Sequence, residues 1–287
     1  MGLFAPIGSS EVVWQVSNVD NLQPQFGIGA EVFYNATAGL KGAWVEVLSP
    51  AEMANAATGF YLNINTNGGN DNGFNSVLDV GIDSAGGTSY VVIVPDLMIT
   101  GASPWTANEM GNWYFLPMAI PLGSRVAVRA ARSISGAGAS FFAIIRAFGR
   151  PRDATLVWSA SVCTPFGMNA AVPIGTTVIS GEAAEGAWTL LAAAIPKSYR
   201  FWQVIFGCGK TNTDPGIYSL DLACGDATNK EIILRDVRFT IRASDETISA
   251  ICRGAERYVA AGNDLYARLQ CSTTAMTELN VAAYGFR

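Results

Sequence analysis

The chain consists of many short runs rich in Val, Ile, Phe and Tyr, each ended by Gly, Asn, Asp or Pro. Runs of this kind, with turn residues about every 8–12 positions, are typical of all-β sandwiches and jelly rolls. Helical periodicity is scarce, and only Arg253–Ala261 fits one short helical turn. The predicted strands are Gly42–Leu48, Phe60–Asn65, Ser76–Gly81, Tyr90–Val94, Trp113–Met118, Arg125–Ala130, Phe141–Phe148, Ala187–Leu191, Phe201–Phe206, Tyr218–Leu222, Glu231–Leu234, Val237–Arg242, Ile248–Arg253, Leu265–Leu269 and Leu279–Tyr284.

An ordered internal repeat divides these strands into two sets. The matched segments are Gly42-Ala43-Trp44 with Gly186-Ala187-Trp188, Val77–Val80 with Ser219–Leu222, Tyr90–Leu97 with Lys230–Val237, Arg125–Ala130 with Ser249–Gly254, and Ala147–Arg150 with Tyr284–Arg287. The order is kept while the offset falls from 144 residues (44 to 188) to 137 residues (150 to 287). We therefore predict an all-β fold of two tandem jelly-roll-like β-sandwich domains related by internal duplication, residues 1–152 and 153–287.

The composition narrows the chemistry that the chain can perform. The sequence has no His, which excludes a Ser-His-Asp triad, a Cys-His pair and a His-ligated metal. The net charge of −5 argues against nucleic acid as a partner, and no apolar run approaches the roughly 20 residues that span a membrane. Charged residues make up 14% of the chain and hydrophobic residues 50%, so we expect a homo-oligomer whose subunit contacts bury further apolar surface.

Several of these motifs, in this order, resemble jelly-roll virion structural proteins of tailed bacteriophages, of the neck, collar, tail-associated or capsid-decoration type. They are Gly42-Ala43-Trp44, Leu78–Gly81, Val94–Leu97, Ile120–Arg129 and Tyr284–Arg287. The second half departs from the pattern, since no Ile-Pro-x-Gly-Ser element was found there. The resemblance implies a structural component of the virion, assembled in the host cytoplasm in many copies beside other phage structural proteins. It implies no catalytic residues and no cofactor.

Two loops have a binding interpretation beside a structural one. Gly207–Thr211 resembles the end of a phosphate-binding loop, but Val204 stands where that loop needs Gly, so a hairpin turn is favoured. Asn65–Gly73 offers Asn and Asp oxygens to Ca²⁺, yet it contains only one carboxylate. The Asn-Gly pairs of this loop favour a turn, and we predict no metal site.

Aromatic and basic residues are the candidate contact residues. Trp105 and Trp113 flank a loop region, where they would serve a protein interface or stack on sugar rings. Host-surface glycan binding by a phage tail module is therefore the alternative function. Arg125 and Arg129 point the same way on an alternating strand, and we expect them to pair with acidic groups of another subunit. Trp44 and Trp188 are expected in the core.

Carboxylates supply the remaining acid-base chemistry. Residues 42–124 contain seven acidic residues and no Lys or Arg, a field that would raise a carboxyl pKa as an acid catalyst requires. The carboxylates considered there are Asp79, Asp83, Asp96 and Glu109. Asp96 and Asp236 occupy equivalent repeat positions after strands, where Asp commonly caps a turn. Because a structural role explains these carboxylates, we expect that the protein is not an enzyme.

Five cysteines lie in the second half, without any CxxC spacing. Their number is odd, so at least one thiol has no partner within the chain. Cys163 and Cys252 are expected to be buried, whereas Cys208 and Cys224 lie in or beside apparent turns. Cys208 and Cys224 are therefore the candidates for an intersubunit disulfide, formed after the particle leaves the reducing cytosol.

Overall fold

The computed structural model describes residues 13–16, 29–66, 75–100, 112–133, 135–136, 138–149, 159–169, 174–207, 216–241, 252–273 and 278–287. These residues form eighteen strands and no helix. In chain order the strands are β1 (Val13–Val16), β2 (Ala30–Phe33), β3 (Val45–Leu48), β4 (Gly59–Thr66), β5 (Asn75–Asp83), β6 (Val91–Thr100), β7 (Asn112–Leu116), β8 (Arg125–Arg132), β9 (Ser140–Gly149), β10 (Cys163–Phe166), β11 (Thr176–Glu182), β12 (Thr189–Ala192), β13 (Tyr199–Gly207), β14 (Gly216–Gly225), β15 (Lys230–Ile241), β16 (Cys252–Val259), β17 (Asp264–Cys271) and β18 (Glu278–Phe286).

The first nine strands form two antiparallel sheets. One sheet has the order β1-β9-β4-β7, with β2 also paired to β9, and the other has the order β3-β8-β5-β6. From β2 to β9 each strand lies in the other sheet from the strand before it, except that β5 and β6 are neighbours in the same sheet. Two facing sheets connected in this way are the jelly-roll arrangement.

The last nine strands repeat this pairing order. β10 and β11 pair with β18, followed by β13 and β16, while β12-β17-β14-β15 form the second set. Each strand thus corresponds to the strand nine positions earlier. A short parallel pairing of β11 with β17 at residues 180–182 joins the two sets into one sheet. The predicted all-β fold of two tandem jelly-roll-like sandwiches is confirmed.

Two details of the sequence interpretation are wrong. Arg253–Ala261 is not a helical turn, because β16 covers most of it and pairs with β13. The counterpart of Arg125–Ala130 in β8 is not Ser249–Gly254 but Asp264–Leu269 in β17, as the equal positions of β8 and β17 in the two sheets require. The boundary between residues 152 and 153 lies outside the described residues and stays a prediction.

The C-terminal strand β18 lies between the two halves. Every residue from Leu279 to Phe286 is buried, so both faces of the strand are covered. The neighbouring strand β13 is also covered on both faces. Phe206 stacks on Phe239 in the core of the second half, whereas Phe201 meets Phe115 of the first half edge to face. The sheet that contains β13 and β18 therefore packs against the cores of both halves.

Buried polar contacts fix the two halves against each other. The Tyr284 hydroxyl donates to the carbonyl oxygen of Asp96 (2.7 Å) and accepts from the backbone N–H of Met98 (2.6 Å). The Gln203 side-chain amide donates to the carbonyl oxygen of Phe115. Burial raises the pKa of Tyr284 well above its ordinary value, so the hydroxyl keeps its proton at ordinary pH. The halves are thus joined by directional contacts as well as by apolar packing.

Candidate functional site

A β-bulge recurs at the same place in both halves. In the first half the pairing of β5 with β6 shifts between Leu78 and Val80, opposite Asp96. In the second half the pairing of β14 with β15 shifts between Leu220 and Leu222, opposite Asp236. Both of these Asp residues have positive φ, 47° and 52°, a conformation that Asp tolerates better than most side chains.

In the first half a buried carboxylate organises this bulge. Asp79, which is 4% exposed, accepts the backbone N–H of Asp96 at 3.0 Å. Its other oxygen accepts Arg129 Nε at 2.9 Å, and Lys41 Nζ lies 2.8 Å from Asp79 and 2.9 Å from Asp96. The Arg129 guanidinium also lies over the ring of Trp44, 4.5 Å from its centroid. We call Lys41, Trp44, Asp79, Asp96 and Arg129 the first module.

The second half repeats the arrangement with Trp188, Asp221, Asp236 and Arg268. Asp221, also 4% exposed, accepts the backbone N–H of Asp236 at 2.7 Å. Arg268 donates to Asp221 through Nε (2.9 Å) and Nη2 (2.7 Å), and lies 4.3 Å from the Trp188 ring centroid. With Glu185, these residues are called the second module.

In each module a glycine precedes the tryptophan at a point where the chain passes close to another backbone. A Cβ on Gly42 would lie 2.5 Å from the Phe33 carbonyl oxygen, and a Cβ on Gly186 would lie 2.7 Å from the Ile179 carbonyl oxygen. The backbone N–H of Gly42 donates to Ala130 and that of Gly186 to Leu269, at equivalent points of β8 and β17. Only glycine fits so close to another backbone, which explains why the repeated Gly-Ala-Trp begins with glycine in both halves.

The two modules differ at one position. Lys41 stands directly before Gly-Ala-Trp in the first half, and Glu185 stands directly before it in the second. Glu185 pairs with Arg268 Nη1, and Asp236 accepts the Ser219 hydroxyl at 3.1 Å. A shallow surface depression is lined by Glu185, Ser219, Asp221, Asp236, Arg268, Leu269 and Gln270.

The carboxylates of Asp79 and Asp83 do not have the raised pKa that an acid catalyst requires. Burial alone would raise the pKa of Asp79, but the Lys41 charge, the Asp96 N–H and Arg129 outweigh it, so the pKa is lowered. The backbone N–H groups of Ser89 and Ala85 lower the pKa of Asp83. The acidic field of residues 42–124 is offset by cations just beyond its two ends. Glu109 lies outside the described residues.

Arg125 and Arg129 share one face of β8, as predicted, but both have partners within the chain. Arg125 Nε lies 3.0 Å from Glu46 Oε2, and Arg129 binds Asp79. Pairing with another subunit is therefore not needed to balance either charge, and their role in an interface stays a prediction. Trp44 and Trp188 were expected in the core, which is wrong, since both are half-buried beneath arginines.

Trp113 belongs to an aromatic cluster on the face of the first sheet opposite the core of the first half, and Phe115 of this cluster packs against Phe201 of the second half. Its ring lies 6.4 Å from Tyr61, and the Arg146 guanidinium lies 4.9 Å from the Trp113 centroid. Phe115 and Phe148 stack at 5.8 Å beside Tyr61. Trp105 lies outside the described residues, so its place at an interface stays a prediction.

The cysteine prediction rested on exposure, which Cys224 does not have. Cys224 lies within β14, is 6% exposed and has a pKa raised by burial. Cys224 is not a turn residue, because the strand continues to Gly225. Cys208 and the predicted phosphate-like loop lie mostly outside the described residues, as does most of the Asn65–Gly73 loop. The intersubunit disulfide stays a prediction.

Sequence reasoning singled out Arg129 of the first module but missed Lys41 and Arg268. Lys41 was hidden because it lies one residue outside the acidic stretch. Arg268 was overlooked because the two halves of the repeat were misaligned. The sequence nevertheless contained a signal for the correct alignment. Gly123 precedes Arg129 by six residues, Gly262 precedes Arg268 by six residues, and both glycines have positive φ.

Within the part of the chain that the structure describes, no group of three or more His, Cys, Asp or Glu side chains is arranged to hold a metal ion. The same residues include no helix that could cross a membrane.

The fold has similarities among solved structures, although no family model and no curated protein matches the sequence. A peptide-N(4)-(N-acetyl-beta-D-glucosaminyl) asparagine amidase shares 8% identity, with 96% of each chain covered and a TM-score of 0.39. The major capsid protein P2 from bacteriophage PM2 shares 9% identity over 96% of this chain and 98% of that one, with a TM-score of 0.31. The STIV MCP shares 11% identity over 96% of each chain, with a TM-score of 0.33. An enzyme and viral capsid proteins thus appear side by side, and such distant similarities support no conclusion about activity.

Proposed function

We propose that the chain is a virion structural protein that assembles in multiple copies and has no catalytic role. The observation that carries this proposal is that the buried carboxylates are bonded within the chain. The most buried carboxylates, Asp79 and Asp221, each bind an arginine and a bulge N–H within the chain, which fastens strands together. Groups committed to such contacts are not available to a substrate.

The joined jelly rolls suit assembly. Tyr284 and Gln203 tie one sandwich to the other, so the chain presents a single rigid block with two similar halves. Large apolar side chains remain exposed around this block, and they supply contact area for neighbouring copies. They are Phe33, Leu40, Val91, Val92, Leu122, Ile179, Leu190, Ile217 and Tyr258.

The finer proposal places the protein on the neck, collar, tail or capsid surface of a bacteriophage, assembled in the host cytoplasm with other phage structural proteins. It rests on the sequence resemblance together with the jelly-roll fold. Immunogold electron microscopy of particles from the source of the sequence tests the location. Labelling at a fixed place on each particle supports the proposal, and labelling of host material alone contradicts it.

Sedimentation velocity of the purified chain over a wide concentration range tests the assembly itself. We expect association that grows with concentration and survives moderate salt, because apolar contacts are little screened. Stable subunit contacts would bury more than about 1,000 Å². A monomer at every concentration, together with absence from particles, would refute the proposal.

The aromatic cluster favours glycan binding as the second candidate. Tyr61 and Trp113 are half-buried and offer part of their ring faces, with Arg146 beside Trp113, whereas Phe115 packs against Phe201 of the second half. Glycan arrays with the purified chain test this function. Specific binding lost in Trp113→Ala but kept in Tyr258→Ala, an exposed aromatic outside the cluster, would favour this second candidate.

A further inference from the structure

We propose that the bulge at Asp96 is an acid-sensitive latch between the two halves, which protonation of the Asp79 carboxylate releases. This conformational device goes beyond the assembly function proposed above and does not depend on it. Asp96 is bound on both sides. Its backbone N–H donates to Asp79 at 3.0 Å, and its carbonyl oxygen accepts the Tyr284 hydroxyl of the second half at 2.7 Å. One residue thus joins a buried charge of the first half to the contact between the halves.

The backbone at Asp96 has a conformation that its contacts must hold. Its φ is 47°, a region that residues other than glycine occupy mainly where the surroundings fix them. The Tyr284 hydroxyl also accepts the Met98 N–H at 2.6 Å, so its two bonds fall on either side of Leu97. A single hydroxyl fits both groups only while the bulge keeps its shape. A change in the backbone at Asp96 therefore breaks the fit of Tyr284.

The partners of the Asp79 carboxylate are all donors. Arg129 Nε donates to one oxygen at 2.9 Å, while Lys41 Nζ (2.8 Å) and the Asp96 N–H (3.0 Å) donate to the other. A protonated carboxyl brings an O–H donor into this ring of donors, and its neutral oxygens accept more weakly than charged ones. Protonation of Asp79 therefore weakens the hold on the Asp96 N–H and leaves Lys41 and Arg129 short of negative charge.

The other charged groups on this face of the sheet are engaged with one another. Arg125 Nε lies 3.0 Å from Glu46 Oε2, and Arg125 is opposite Asp83 in the pairing of β5 with β8. Arg125 and Asp83 lie four residues along their strands from Arg129 and Asp79. The groups that face Asp79 itself are therefore Lys41, Arg129 and Asp96.

These groups determine the pH at which the latch releases. Burial raises the pKa of Asp79, but the Lys41 charge, the Asp96 N–H and Arg129 together outweigh it, so the pKa is lowered. The hold on Asp96 is therefore complete above the ordinary carboxyl value of about 3.9, and it is lost as pH falls through the lowered pKa. The halves stay latched at neutral pH and loosen only in acid.

The second module supplies a matched control within the same chain. Asp221 accepts the backbone N–H of Asp236 at 2.7 Å and binds Arg268, and the φ of Asp236 is 52°. The bonds of Asp236 to Asp221 and Ser219 both lie within the second half. Neutralising Asp221 should therefore loosen an equivalent bulge without loosening the contact between the halves.

NMR of the whole chain with ¹³C-labelled Met methyl groups tests the latch during an acid titration. Met98 lies beside the latch, and Met53 of the first half is the internal control, since both are completely buried. We expect the Met98 signal to change with a midpoint below about pH 3.9 while Met53 keeps its folded position. In Asp79→Asn the Met98 signal should no longer titrate, whereas in Asp221→Asn it should titrate as in the natural chain. Met98 and Met53 signals that change only together, as the chain unfolds, would overturn the proposal.

Urea unfolding at neutral pH measures the same coupling without acid. Asp79 and Tyr284 share Asp96 as a partner, so their effects on stability should not add. We expect Tyr284→Phe to raise the unfolding constant about tenfold less in Asp79→Asn than in the natural chain, a coupling within the range for one hydrogen-bond network. In Asp221→Asn the effect of Tyr284→Phe should equal that in the natural chain. An equal effect in all three backgrounds would contradict a latch at Asp96.

Discussion

Replacing Tyr284 with Phe tests whether the two halves depend on each other. The substitution removes one hydroxyl that is completely buried and bonded to both Asp96 and Met98 of the first half. The Asp96 carbonyl and the Met98 N–H would then lose this partner away from water, at a cost of about 1–3 kcal/mol for each group. Partial relaxation offsets part of this cost, so we expect the free energy of unfolding to fall by about 2–4 kcal/mol.

Urea unfolding followed by tryptophan fluorescence and by far-UV circular dichroism measures this change. Tyr258→Phe is the matched control, because Tyr258 is 66% exposed and its hydroxyl donates only to Ser198 at the surface. It should change stability by less than about 0.5 kcal/mol. A Tyr284→Phe variant as stable as this control would show that apolar packing alone joins the halves.

The other predictions concern single side chains. Because the pKa of Asp79 is lowered in the folded state, its stabilising effect is complete above the unfolded value of about 3.9 and is lost as pH falls through the lowered pKa. Urea unfolding from pH 6 to pH 3 should therefore show a weaker acid dependence in Asp79→Asn. Gly186→Ala should cost about 1–3 kcal/mol in thermal unfolding, because its Cβ would press on backbone atoms, and no loss would contradict the close approach. Cys163, Cys224 and Cys271 are buried, so a thiol reagent followed by mass spectrometry should label them only after denaturation, and rapid native labelling would refute the packing.

Most strands were predictable because they are apolar runs ended by turn residues, and strands such as β9, β14 and β18 are buried along most of their length. Where large apolar residues are few, prediction failed. β11 carries Thr, Ser, Gly and Glu among only two large apolar residues, and it was missed. β16 is an edge strand whose exposed charges, Arg257 and Glu256 among them, imitate the pattern of a helical turn. Polar edges of sheets look like surface helices in sequence alone.

The site was less predictable than the fold, because it depends on pairs that lie far apart in sequence. Asp79 and Arg129 face each other across β5 and β8, fifty residues apart. The local charge count around Asp79 suggested repulsion, whereas the folded chain supplies attraction from Lys41 and Arg129. The repeat itself gave the position of both bulges, since Asp96 and Asp236 were matched from sequence.

The place of β18 between the halves has a consequence for synthesis on the ribosome. Tyr284 is made 186 residues after Met98, which at about 5–20 residues per second is a delay of roughly 10–40 s. During that time the first half has no cover for the β6 backbone, and β6 is also an edge strand with apolar residues such as Val91 exposed. Nascent chains on one messenger are close enough to pair through such edges. We therefore expect that slowing initiation, which spaces the ribosomes, improves the yield of folded protein.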